Sequence, residues 1–104
     1  MTETLVPVFS ALGDETRWSI LQALGENDAS ASALASRLPI SRQAIAKHLA
    51  VLQDVGLVKP IPVGREVRYQ VVGSELSTAA RRLDAIGTAW ETRLAAIKEI
   101  AEDL

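Results

Sequence analysis

A chain of 104 residues, 48% hydrophobic and 23% charged, is sized for one compact unit with a modest core and no second catalytic domain. It contains no cysteine, which excludes disulfide staples, thiolate metal sites and cysteine nucleophiles, and no 20-residue apolar run, which excludes a membrane-spanning helix. The net charge of −2 by itself argues against a polyanionic partner, and no secretory leader is visible from Met1 to Pro7, so a reducing, cytoplasmic setting is expected.

In chain order, Leu5 to Leu12 reads as a short first helix confined by Pro7 and broken at Gly13. Asp14 is placed to cap a second helix, Glu15 to Leu24, whose apolar positions are Trp18, Ile20, Leu21 and Leu24, with a loop from Gly25 to Asp28. A third helix fits Ser30 or Ser32 through Leu38, stopped by Pro39. Ser41 has the side chain to cap a fourth, Arg42 to about Val55, ended by Gly56. Two helices joined by so tight a turn form a helix-turn-helix.

After Gly56 the apolar period changes to two. Leu57–Val63 and Glu66–Val72 read as the strands of a hairpin with Gly64-Arg65 at its tip. Pro60 and Pro62 are two residues apart, so both missing N–H donors fall on one side and fit a free sheet edge. Val67, Tyr69 and Val71 share one face of the second strand, Arg68 and Gln70 the other. From Ser74 to about residue 102 a long helix is expected. Its seam of Leu76, Ala80, Leu83, Gly87, Trp90, Leu94, Ile97, Ala101 and Leu104 steps alternately by four and three. The fold class is therefore mainly α with a two-stranded wing, in the order α-α-α-α-β-β-α, and residues 1–104 make a single winged helix-turn-helix domain.

Charge distribution reverses the first impression. Between Arg37 and Gln70, six cations (Arg37, Arg42, Lys47, Lys59, Arg65, Arg68) face only Asp54 and Glu66. A cationic face matters more for partner choice than the total, although chance clustering of solvated charge would look the same. On the fourth helix, at about 100° per residue, Ile45, Leu49 and Leu52 form the inner stripe, with Gln43, Ala46, Lys47 and Ala50 opposite and Arg42 flanking. Small residues interleaved with Gln, Lys and Arg suit a major groove, where Gln pairs with adenine and Arg with guanine. The helix start after Ser41 directs N–H groups at a phosphate. Arg65 and Arg68 fit phosphate or minor-groove contacts from the wing. Alone, the helix would equally read as an amphipathic surface helix; the capped turn before it and the basic hairpin after it favour double-stranded DNA.

The runs Ala11-Leu12-Gly13-Asp14-Glu15-Thr16-Arg17, Leu38-Pro39-Ile40-Ser41-Arg42-Gln43-Ala44-Ile45-Ala46-Lys47-His48-Leu49 and Leu52 through Gly56-Leu57-Val58, with the hairpin Gly64-Arg65-Glu66-Val67-Arg68-Tyr69, resemble the ArsR/SmtB family of bacterial winged helix-turn-helix repressors. The resemblance spans nearly the whole chain. It implies a homodimeric, effector-responsive repressor in which Ser41, Arg42, Gln43, Ala44, Lys47 and His48 belong to the DNA-reading helix and Arg65 and Arg68 to the wing. Metal-sensing members carry cysteines on the third helix, where this chain has Ser32-Ala33-Leu34-Ala35-Ser36, and others use His on the last helix, where this chain has none. No metal or cofactor is therefore expected. Trp90, with Leu94 four residues on, looks like the metal-free members, and Trp18 stands where many members have a second Arg.

His48, the one histidine, sits at the edge of the apolar stripe and reads first as a semi-buried packing residue. No nucleophile, ligand cluster or phosphate loop suggests catalysis. The last-helix seam has no core left to cover in so small a unit, so Leu83, Gly87, Trp90 and Leu94 are expected at a dimer interface, with the first helix beside it. Gly87 would permit a close backbone approach near the twofold axis. An effector acting around Leu83, Trp90 and Leu94 is the expected lever of control, its identity unreadable; a structural role for Trp90 is the plainer reading. Two other classes stay open: a winged-helix module that binds protein rather than DNA, against which Arg42, Lys47 and Arg68 speak, and a small enzyme or ligand carrier, for which no polar pocket cluster is visible.

Overall fold

The computed structural model describes residues 5–103. Its elements are α1 (Val6–Leu12), α2 (Glu15–Glu26), β1 (Ala29–Ser30), α3 (Ala31–Arg37), α4 (Arg42–Asp54), β2 (Val58–Val63), β3 (Glu66–Val71) and α5 (Gly73–Glu102). The hairpin and five helices stand where the apolar pattern puts them, with three differences. Helix α2 continues through Gly25 to Glu26, two residues past Leu24. A two-residue strand, β1, occupies the segment just before α3 and pairs antiparallel with β3, Ala29 opposite Tyr69 and Ser30 opposite Arg68. The wing hairpin thus belongs to a three-stranded sheet in the order β1-β3-β2. Two residues carry no readable alternation, which is why β1 is invisible in the sequence. The third difference is Trp18, half exposed (51%) rather than part of the inner face of α2.

Three helices open on a side-chain cap. Asp14 accepts from the Arg17 N–H at 3.0 Å, Ser30 from the Ala33 N–H at 3.1 Å and Ser41 from the Ala44 N–H at 3.1 Å. Each cap satisfies a backbone donor that the helix itself leaves unpaired. Helix α4 closes on a Schellman arrangement: the Leu57 N–H donates to the Leu52 carbonyl at 2.9 Å and the Gly56 N–H to the Gln53 carbonyl at 3.0 Å. Gly56 takes φ +82°, the left-handed conformation this stop requires. Leu52 and Leu57, the apolar pair of the motif, are both fully buried.

The core lies between the helix-turn-helix and the base of the sheet. Ile20, Leu34, Ile45, Leu49, Leu52 and Leu57 are its fully buried side chains, joined by Val8, Ala11, Leu21, Leu24, Ala29, Val58 and Ala79. Burial of each large aliphatic side chain favours the fold by about 1.5–3 kcal/mol relative to exposure. Register in the hairpin runs from Val58 opposite Val71 to Val63 opposite Glu66, and the Val72 N–H closes its base on the Leu57 carbonyl at 2.8 Å. Since β2 is an edge strand, Pro60 and Pro62 are compatible with the sheet. At the tip Gly64 has φ +62° and Arg65 a negative φ, the pattern of a type II′ turn.

Helix α5 leaves this core almost at once. Leu76 packs against it and Ala79 is buried, but every described residue from Ala80 to Asp103 is exposed. At about 1.5 Å per residue the 30-residue helix is about 45 Å long. The radius of gyration is 18.6 Å and the extents 69 × 33 × 20 Å, against about 13 Å expected for a compact chain of this length. No helix among the described residues is long and apolar enough to cross a membrane.

Candidate nucleic-acid interface

Helix α4 is held by its inner stripe, Ile45, Leu49 and Leu52. That anchoring turns Arg42, Gln43, Ala46, Lys47 and Ala50 outward, all exposed. Ser41, also exposed, spends its hydroxyl oxygen on the Ala44 N–H, and Ala44 is half-buried behind it. A groove of about 520 Å³ runs between the start of α4 and the wing. Arg42, Gln43 and Ala46 form one wall, Arg65, Glu66, Val67 and Tyr69 another, and Ser30 to Ser32 its floor. Helix and hairpin are far apart in sequence, and the groove between them is the feature that brings Arg42, Gln43 and Arg65 to one surface.

The charges in this surface are positioned to different degrees. Arg42 donates from Nε to the Ser32 hydroxyl at 2.9 Å, so α3 orients the first side chain of α4 across the turn. Arg68 is paired with Glu66 at 2.6 Å on the same strand face, both side chains about half exposed. The Arg68 charge is therefore partly neutralised, whereas Arg65 sits exposed at the tip. Gln70, on the same face as Arg68, donates to Asp28 at 3.2 Å and ties the sheet to the loop after α2.

His48 is half-buried at the edge of the stripe formed by Ile45, Leu49 and Leu52, as its place in the sequence suggests. Its Nδ1 lies 3.3 Å from Nη1 of Arg17, whose Nε donates to the Ala11 carbonyl at 2.8 Å. A guanidinium has donors only, so Nδ1 accepts and the neutral ring carries its proton on Nε2. Arg17 thereby links α1, α2 and α4 through one side chain. Its backbone N–H also caps onto Asp14, and that hydrogen bond, reinforced by the nearby Arg17 guanidinium, holds the Asp14 carboxyl below its usual range. Sequence reasoning missed Arg17 and Ser32 as positioning residues. Their partners lie 31 and 10 residues away, beyond any local pattern.

The other predicted site residues, Leu83, Gly87, Trp90 and Leu94, fall on the outlying part of α5. Leu83, Trp90 and Leu94 are 54%, 52% and 46% exposed, and nothing lies within 4 Å of where a Cβ on Gly87 would be. The Arg93 guanidinium stands 5.9 Å from the centre of the Trp90 ring. Leu104, the last seam position, is outside the described residues. Among the described residues no group of three His, Asp or Glu side chains is placed to hold a metal ion.

Comparison with known proteins gives a consistent set of likenesses. The Helix-turn-helix domain family matches residues 12–61. The solved structure of an ArsR-like transcriptional regulator from Rhodococcus sp. RHA1 is 62% identical, with a TM-score of 0.84 over 93% of this chain and 92% of that one. The uncharacterised HTH-type transcriptional regulator YuzN of Bacillus subtilis is 52% identical over 72 residues, 62% of this chain and 75% of YuzN. The transcriptional activator HlyU of Vibrio cholerae is 35% identical over 71 residues, 68% of this chain and 66% of HlyU.

Proposed function

The chain belongs to the ArsR family of winged helix-turn-helix transcriptional regulators, DNA-binding proteins rather than enzymes, and from that premise we propose that it is a homodimeric repressor of an inverted-repeat operator. Residues 1–104 act as one winged-helix unit: 41–55 is the recognition helix, 57–72 the wing and 74–102 the dimerisation helix. The carrying observation is the open groove in which Arg42, Gln43 and Ala46 of α4 share a surface with Arg65 of the wing.

In this reading α4 lies in the major groove. Gln43 reads a base edge, the short Ala46 and Ala50 allow close approach, and Lys47 takes a phosphate or base. Ser41, Arg42, Ala44 and His48 frame the N-terminal half of the helix against the backbone, while Arg65 and Arg68 follow the adjacent phosphates or minor groove. Two such units related by a twofold axis present recognition helices about 34 Å apart, one turn of the duplex. Leu83, Gly87, Trp90 and Leu94 form the shared seam, which supplies the apolar partner that α5 lacks within its own domain. Repression follows from occupancy of a promoter, in the cytoplasm. Release comes from an effector bound without thiolates, since the chain has no cysteine.

Selection from random duplexes, followed by binding at several salt concentrations, tests this. The expected result is an inverted repeat with half-sites one turn apart, steep salt dependence and loss of transcription in vitro from a promoter that carries the site. A monomer with no sequence preference at low ionic strength sinks the reading, and a rise in transcription sinks the repressor part of it.

A further inference from the structure

Adjacent grooves of a duplex are parted by a sugar-phosphate strand. With α4 in the major groove and the wing against the minor groove beside it, that strand has to pass between helix and hairpin. The open groove of about 520 Å³ lies there. We propose that it seats one DNA phosphodiester per half-site, held from the helix side by Arg42 and from the wing side by the Tyr69 hydroxyl, with Ser32 aiming Arg42. The inference rests on the major-groove reading of α4. It adds two residues, Ser32 and Tyr69, that the sequence did not mark for a role in DNA binding.

The side chains at the groove differ in what they have left to offer. Arg42 uses its Nε donor on the Ser32 hydroxyl at 2.9 Å. A guanidinium carries five N–H groups in one plane, and the four on Nη1 and Nη2 have no partner among the described residues. Fixing Nε fixes the plane of that fork, which suits two oxygens of a phosphate. Guanine readout, open in general to an arginine in a major groove, is then not the task of Arg42. Ser32 draws its guanidinium back across the turn toward the floor of the groove.

Tyr69 reaches the same space from the wing. Strand alternation sets Val67 and Tyr69 on one face of β3, and both line the groove, whereas Arg68 is on the other face and lines none of it. The Tyr69 ring is half-buried against the core. Its backbone is flanked on both sides, by Ala29 of β1 and Pro60 of β2. The hydroxyl nevertheless has no hydrogen-bond partner among the described residues and stays open to solvent. A packed ring with a free O–H is a donor already held in place, and phosphate oxygens accept from tyrosine as they do from arginine. The charged residues that line the groove are Arg42, Arg65 and Glu66. The carboxylate is engaged by Arg68 at 2.6 Å, so the seat stays net positive.

Ethylation interference on the selected operator, together with competition binding, tests the seat in the full-length chain. Wild type is expected to lose binding when one particular phosphate per half-site is ethylated. The Arg42→Ala and Tyr69→Phe chains should both be indifferent to ethylation at that same phosphate. Arg42→Ala should weaken every duplex alike, by about tenfold, and lower the salt slope by about 1. Tyr69→Phe keeps the packed ring and should weaken binding about threefold at an unchanged slope, because a hydroxyl displaces no counterion. Ser32→Ala should weaken wild type about threefold and have no effect in the Arg42→Ala background. Arg42→Lys should keep the salt slope and lose the dependence on Ser32. Circular dichroism verifies that each variant is folded. Relaxed base preference in Arg42→Ala overturns the seat, since Arg42 would then read a base. Loss of interference at two different phosphates, or none in Tyr69→Phe, overturns the shared clamp. A Ser32→Ala effect that persists without Arg42 ends its positioning role. A wild type that selects an operator while the variants behave in these contrary ways leaves the α4 reading standing. A wild type with no preference for any duplex removes both.

Discussion

Arg17 illustrates how much one side chain organises. Its backbone N–H pairs with Asp14, its Nε with Ala11 and its Nη1 with His48, so the start of α2, the end of α1 and the middle of α4 share one cation. The depressed acidity constant of Asp14 sets a pH dependence with a definite sign. A carboxylate whose folded pKa lies below its unfolded one stabilises the fold above the unfolded value and loses that contribution as pH falls through the folded one. Asp14→Asn, which keeps a capping oxygen without the charge, should therefore melt below wild type at neutral pH and converge with it in acid well below 3.8, as thermal melts against pH would record. On the outer face of α4, Gln43→Ala is expected to relax preference at one base pair, about 1–3 kcal/mol of discrimination. Lys47→Ala should instead weaken all sequences alike and lower the salt slope by about 1; both are read by competition binding. Glu66→Gln removes the acid that partly neutralises Arg68, so DNA should bind more tightly and with a steeper salt slope.

At the scale of elements, the ends are better specified than the middles. Asp14, Ser30 and Ser41 begin α2, α3 and α4 as local chemistry requires, and Gly56 ends α4 with φ +82°. Gly56→Ala forces a β-carbon into the left-handed region, although the space there is open apart from ordinary contact with Glu75. A loss of about 1–2 kcal/mol is expected, visible as a lower urea midpoint with an unchanged slope. The same reasoning accounts for what was illegible. Strand β1 is two residues long and exists because β3 offers it a partner, while Trp18 satisfied the helical spacing of α2 yet lies off the face that the core covers.

At the scale of the whole molecule, the decisive feature is the departure of α5 from its own domain. Twenty-four consecutive exposed residues, with Leu83, Ile86, Trp90, Leu94, Ile97 and Ile100 among them, form an apolar surface unsuited to a monomer in water. Leu94→Glu, a charge in the middle of that surface, should yield a monomer by sedimentation. Binding to a full inverted repeat should fall by on the order of 10²–10⁴-fold as the second half-site contact ceases to be intramolecular, while helical content outside α5 is retained.

Local patterns in the amino-acid order suffice for the helix-turn-helix, its caps, the hairpin with its edge prolines, and the polar outer face of α4, because each depends on residues within a turn or two of one another. They also suffice for the heptad row of α5. Packing alone decided that Ser32 would orient Arg42, that Arg17 would fix the His48 tautomer and that Gln70 would reach Asp28. It alone placed Arg65 across a groove from Gln43. Those contacts join segments distant along the chain, and their energies are small beside the burial of Ile20, Leu34, Ile45, Leu49, Leu52 and Leu57 that draws the segments together.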